Sequence, residues 1–172
     1  MDSFIDSIRR LSQTCGIVAA LLIAAAVVVV CEMVVIRYFL RASTVWQTEF
    51  VTYSLIAATF IGSPYVALIR GHVNVELLPI YLGGRPRLAL ALFSAAAALV
   101  LSVVLCWTGY ELLAEAWVGG WRTDTVWALP LWIPYMPLPI GMALMALQYV
   151  ADILCLVTGR SQPFGLTDAV IR

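Results

Sequence analysis

The chain has 172 residues, of which 63% are apolar and only 12% charged, and its mean hydropathy is +0.97. A soluble domain of this size is about half apolar and a quarter charged. This composition therefore excludes an ordinary water-soluble enzyme, and it excludes a disordered chain as well. The basic residues are all Arg, and the ten of them are matched by ten acidic residues. No basic surplus is left to hold a nucleic acid. What fits is an all-α integral membrane protein with room for four spans of about 20 residues each.

Residues 1–13 are polar and carry Arg9 and Arg10; the first apolar run, 16–36, is broken only by Glu32. Its length gives about 31 Å of helix, enough to span. Two Arg before an apolar run also open a signal peptide, but the run is longer than such a segment needs. Val28-Val29-Val30-Cys31 lacks the small residue that a lipoprotein cleavage site places before its Cys. The run reads as an uncleaved first helix. After a polar turn, Thr44 and Gln47 have the spacing of a capping box, and Trp46 suits an interface. The second predicted span is 45–69. Glu49 lies in its first turns, where the helix dipole favours a carboxylate. Pro64 lies near its end, frees the carbonyl of Phe60 and predicts a kink.

Residues 70–87 form the main polar loop. His72 and Glu76 are four apart, as are Val73 and Leu77, which predicts a short interfacial helix between spans 2 and 3. Pro86 suits the first turn of the next helix. The third span, 88–118, is predicted to be about 46 Å long, so it must tilt or protrude. Glu111 and Glu115 mark the protruding end, surrounded by Trp107, Tyr110, Trp117 and Trp121. Gly119-Gly120 stops it. Pro130, Pro134, Pro137 and Pro139 predict an irregular interfacial loop, with the fourth span over 139–157 and Gly159 as its cap. The tail 160–172 is polar.

An N-terminus in the cytoplasm puts seven Arg inside (Arg9, Arg10, Arg70, Arg85, Arg87, Arg160, Arg172) and three outside (Arg37, Arg41, Arg122). The positive-inside rule then places both termini in the cytoplasm.

Carboxylates within membrane helices are functional candidates. Glu32 reads first as an interfacial charge paired with Arg37. Glu49, Thr52, Ile56, Thr59 and Ser63 follow one another at three- and four-residue steps and form a polar stripe suited to helix packing, inside the protein or against a partner. Ser94, Ala98 and Ser102, and Ala91 with Ala95, are small-residue pairs of the same kind. Gln148 and Asp152 are four apart on the last span. The four Cys form no CxxC and read as small apolar residues. No axial His lies within a span, and no metal set, phosphate loop or nucleophile motif is present. No catalytic, cofactor or metal residue is assigned, and the chain reads as a scaffold or accessory subunit rather than an enzyme. Two other readings stay open: an autonomous small proton-coupled carrier using Glu32 or Glu49, and a membrane redox enzyme.

Several features in order carry a resemblance. They are Trp46-x-x-Glu49, Gly62, Arg70-Gly71-His72-Val73-x-Val75-Glu76-Leu77-Leu78, and the Pro-rich stretch ending Leu138-Pro139-Ile140-Gly141. With the four-span layout, they resemble the small membrane subunit of tripartite ATP-independent periplasmic (TRAP) transporters, the DctQ-like type, over residues 10–158. The resemblance implies a bacterial inner-membrane protein embedded in lipid. Its partners would be a large multi-span permease subunit and a periplasmic substrate-binding protein. Uptake of organic acids, such as dicarboxylates or sialic acids, would be driven by the sodium gradient. The small subunit would scaffold the large one. The motif positions Trp46, Glu49 and His72 receive no role. The stripe from Glu49 to Ser63 is the expected subunit interface. The loop carrying Trp117, Trp121, Trp127 and Trp132 is the expected face toward the binding protein.

Overall fold

The computed structural model describes residues 2–69 and 85–158. Helix α1 (Asp2–Val35) runs into a single π turn (Ile36–Leu40), closed by Arg41 in the left-handed region at φ 49°. Helix α2 spans Val45–Leu68 and α3 spans Arg85–Val118. A one-turn helix α4 (Trp132–Tyr135) precedes α5 (Pro137–Val157). Among the described residues, four helices are long and apolar enough to cross a membrane. The interfacial helix expected within 70–87, with His72 and Glu76, lies outside the described residues, as does the tail after Thr158.

Helix α1 begins at Asp2, well before the predicted residue 16. Hydropathy alone marks only the apolar part of this helix. Ile8, Ser12, Cys15 and Ala19 are all buried and recur at three- and four-residue steps, so one face continues beneath polar neighbours. The buried Ser12 hydroxyl donates to Gln148 Oε1 at 2.9 Å and ties this polar extension to α5.

The Pro-rich stretch is also more helical than predicted. Pro134 sits in α4, and Pro137 and Pro139 lie in the first turn of α5. A first turn needs no intrahelical N–H donors, so proline costs nothing there. The expected capping box at Thr44 does not form: Thr44 makes no side-chain cap bond, and Gln47 is buried. The Thr48 hydroxyl instead donates to the Thr44 carbonyl at 3.0 Å.

The helices pack in a row, in the order α1, α2, α5, α3, with only light contact between α1 and α5. Small residues permit each close approach. Gly62 faces Ala19 at the α1–α2 seam, and Gly109 faces Leu138 and Pro139 at the α3–α5 seam. At the α2–α5 seam, Gly141 abuts the backbone of Phe60. Pro64 removes the amide that would bond the Phe60 carbonyl. The Ser63 hydroxyl donates to that carbonyl at 2.8 Å and restores its partner. The inner helices α2 and α5 bury 28% and 22% of the residues in their apolar windows, and the edge helices α1 and α3 bury 11% each.

The α2–α5 contact also sets depth. Phe60 lies about 22 Å from the start of α2, whereas Gly141 lies about 6 Å from the start of α5. Helix α5 thus begins about 16 Å below the head of α2. The chain between α3 and α5 fills that gap.

A methyl group at Gly141 would meet the Phe60 carbonyl, which belongs to a helix backbone and cannot rotate away. Gly141→Ala is expected to destabilise the fold by about 1–3 kcal/mol, read as a lower Tm of the detergent-solubilised protein.

Candidate functional site at the head of the helix row

One end of the row gathers the end of α1, the start of α2, the end of α3 and the start of α5. The segment 119–131 folds into the gap above α5 and pairs part of its backbone with itself and with the end of α3. The Trp121 amide donates to the Ala116 carbonyl at 3.1 Å, and the Leu131 amide donates to the Trp121 carbonyl at 2.9 Å. Thr123 and Leu129 close a second rung. The Thr123 amide donates to the Leu129 carbonyl at 3.0 Å, and the Leu129 amide donates to the Thr123 hydroxyl at 3.0 Å. Gly120 (φ 60°) and Ala128 (φ 46°) make the left-handed bends. Non-helical backbone near a membrane is tolerable only when its polar groups are paired in this way.

Two residues at the head of α2 hold this loop. Trp46 meets Trp127 edge to face, with ring centroids 6.4 Å apart. Glu49 Oε2 accepts a long hydrogen bond, 3.5 Å, from the Thr123 hydroxyl. Trp117 meets Trp132 edge to face at 4.9 Å and ties the end of α3 to α4. Of the four Trp expected on this face, Trp117, Trp121 and Trp127 are exposed and Trp132 is half-buried. Trp107 donates from its indole to Glu111 at 2.8 Å on the outer side of α3.

The stripe on α2 splits by depth. Glu49 and Ser63 are half-buried, and Thr52, Ile56 and Thr59 between them are exposed. Thr52 and Thr59 donate to the carbonyls of Thr48 and Leu55 on their own helix, at 2.9 and 2.8 Å. Their methyl groups and Ile56 are thus what a neighbour would meet. The face of α2 turned into the row carries Ser54, Ala58 and Ala67 instead. On α3, Ala91 and Ser102 are buried while Ser94 is exposed.

Beside Glu49 lies a cavity of about 360 Å³ lined by Arg37, Ala42, Ser43, Thr44, Val45, Thr48, Glu49 and Thr125. Arg37 was singled out in the sequence only as a partner for Glu32 and Thr44 only as a helix cap; Thr123 and Thr125 were not singled out, and the hydroxyl-rich run Thr123-Asp124-Thr125 in an otherwise apolar chain was their one signal. Glu32 is exposed and makes no ion pair with Arg37, contrary to expectation. Of the cysteines only Cys15 is buried; Cys31 is exposed and Cys106 and Cys155 are intermediate. No group of three or more His, Cys, Asp or Glu among the described residues could hold a metal ion.

The row of four long apolar helices, capped by a self-paired aromatic loop, defines a multi-pass helical membrane protein. Residues 26–159 match the family described as tripartite ATP-independent periplasmic transporters, DctQ component. The chain belongs to this family. It is similar to the C4-dicarboxylate TRAP transporter small permease protein DctQ of Vibrio cholerae, with 24% identity over 151 residues covering 74% of this chain. That alignment spans 64% of the relative's length.

The geometry at the head of α2 makes Trp127 an anchor for the loop. Trp127→Ala removes a ring pair of about 0.5–1.5 kcal/mol. Faster amide hydrogen exchange is expected in 121–131, with exchange in the middle of α2 unchanged.

Proposed function

We propose that this chain braces a large multi-span permease subunit in a binding-protein-dependent TRAP transporter of the bacterial inner membrane. The observation that carries this reading is the family match combined with an open row whose edge helices bury only 11% of their apolar windows. Such faces are covered by lipid or by another membrane protein. A row locked at three glycine seams suits a static support for a moving neighbour.

The exposed surface of Thr52, Ile56 and Thr59 is the proposed contact with the large subunit. The face carrying Trp117, Trp121, Trp127 and Trp132 is the proposed contact with the periplasmic binding protein. The Arg distribution supports this orientation, with both termini in the cytoplasm and the aromatic loop outside. The V. cholerae relative's name specifies C4-dicarboxylate, which supports organic acids as the substrate class; their uptake on the sodium gradient belongs to the same proposal. Selectivity would reside in the other chains. Trp46 and Glu49 anchor the outer loop in this scheme, and His72 keeps no assigned role. Proton-coupled carriage by this chain alone is not favoured. Glu32 faces outward from an edge helix and Glu49 sits at the head of the row, so neither lies between helices at mid-span.

The test is co-expression with the multi-span permease expected to be encoded beside it. The two chains should co-elute, and liposomes should take up solute only when both subunits and the binding protein are present. Uptake by this chain alone would overturn the reading. Thr52→Leu with Thr59→Leu is expected to lower the recovered large subunit several-fold at unchanged expression. Trp121→Ala with Trp127→Ala should reduce crosslinking to the binding protein and leave subunit co-elution intact.

A further inference from the structure

The cavity at the head of α2 contains polar groups that the protein leaves without partners. Thr44 is only 4% exposed, and its hydroxyl oxygen has no hydrogen-bond partner. Glu49 Oε1 is buried and equally without one. An acceptor in this state is costly unless something else supplies a donor, most of all a carboxylate oxygen. Arg37, exposed on the π turn, belongs to the same wall and carries the opposite charge. Thr44 does not cap α2, so the first amides of that helix also lack a side-chain acceptor.

These groups ask two things of an occupant. Glu49 Oε1 needs a donor, best a cationic one, and the neighbouring Thr44 hydroxyl can accept a second N–H from the same group. Arg37 and the head of α2 need an anion. The cavity lies where the first span ends at Leu40 and the second begins at Val45, which is the depth of lipid headgroups. Its volume of about 360 Å³ is on the order of ten times the liquid volume of one water, room for a small zwitterion.

We propose that this cavity binds the headgroup of a phospholipid bearing a primary ammonium, phosphatidylethanolamine. The ammonium donates to Glu49 Oε1 and Thr44 Oγ1, and the phosphate lies against Arg37. A quaternary ammonium has no N–H and leaves both acceptors unpaired, so a choline headgroup is rejected. A glycerol headgroup brings no charge to Glu49. The site therefore selects among lipids that share the same phosphate and chains. The inference rests on the membrane placement proposed above and not on the identity of the partner subunit.

The experiment is native mass spectrometry of this chain, alone and with the co-expressed large subunit, titrated in detergent with phosphatidylethanolamine, phosphatidylcholine or phosphatidylglycerol of matched chains. Phosphatidylethanolamine is expected to be retained at least tenfold better than the other two. Glu49→Gln and Thr44→Val should each remove most of that preference, and Arg37→Gln should weaken all three lipids together. Equal retention of ethanolamine and choline lipids would overturn the site, as would a preference untouched by both Glu49→Gln and Thr44→Val. A crosslink placing a basic side chain of the large subunit on Glu49 in the lipid-free complex would also overturn it. Co-elution of the two subunits is scored in the same samples, so loss of the lipid site is distinguishable from failure of the scaffold reading. Thr44→Val, nearly isosteric, keeps the test decisive if Glu49→Gln disturbs the loop.

Discussion

The backbone of α5 rests against the backbone of α2 where Gly141 meets the carbonyl of Phe60. Pro64 makes this possible by withholding its amide from that carbonyl, and Ser63 supplies the substitute donor. In a membrane, apolar side chains gain little by leaving lipid for one another, so close backbone approach and dispersion must hold helices together. The α2–α5 seam thus anchors the row, and the depth at which α5 begins follows from it. Because α5 starts low, a space opens above it, and the segment 119–131 with α4 must fill that space.

The filling segment explains why the head of the row is the chemically distinctive part of the protein. Several of its amides are paired within the loop or with the end of α3, and its aromatic side chains reach α2 and α3. Trp46 and Glu49 are therefore structural anchors first. Glu49 has two oxygens in different circumstances: one accepts from Thr123 of the loop, the other is buried beside an open cavity without a donor. A carboxylate held in this way is an attachment point for the loop and a demand for a positively charged partner together. The opposite end is built on different terms, with Gly16 under the Tyr65 ring and Ser12 bonded to Gln148.

A row, unlike a closed bundle, has two edges and two broad faces. Thr52 and Thr59 show how such a face is made compatible with lipid or with another helix. Each hydroxyl is spent on the preceding turn of its own helix, leaving methyl groups outward. Polar residue types at helical spacing do not by themselves mark a polar surface; the bond each hydroxyl makes decides that.

Local chemistry was enough to determine much of this protein. Apolar length and Gly or Pro punctuation located α2 and the end of α3 almost to the residue, because both signals act within a few positions of the chain. Trp46 and Glu49 stood out as residue types, since an interfacial Trp and a carboxylate within a helix are conspicuous in an apolar sequence, but their contacts with the outer loop did not. The early start of α1 was harder to see, because its buried face of Ile8, Ser12 and Cys15 is interleaved with Arg and Gln and only packing reveals it. The tertiary structure alone decided that the helices order as α1, α2, α5, α3, and that Thr125 of the outer loop shares a wall with Glu49. Thr125 and Glu49 lie far apart in the chain and meet only because the glycine seams fix which helices touch and at what height, and no local pattern carries that information.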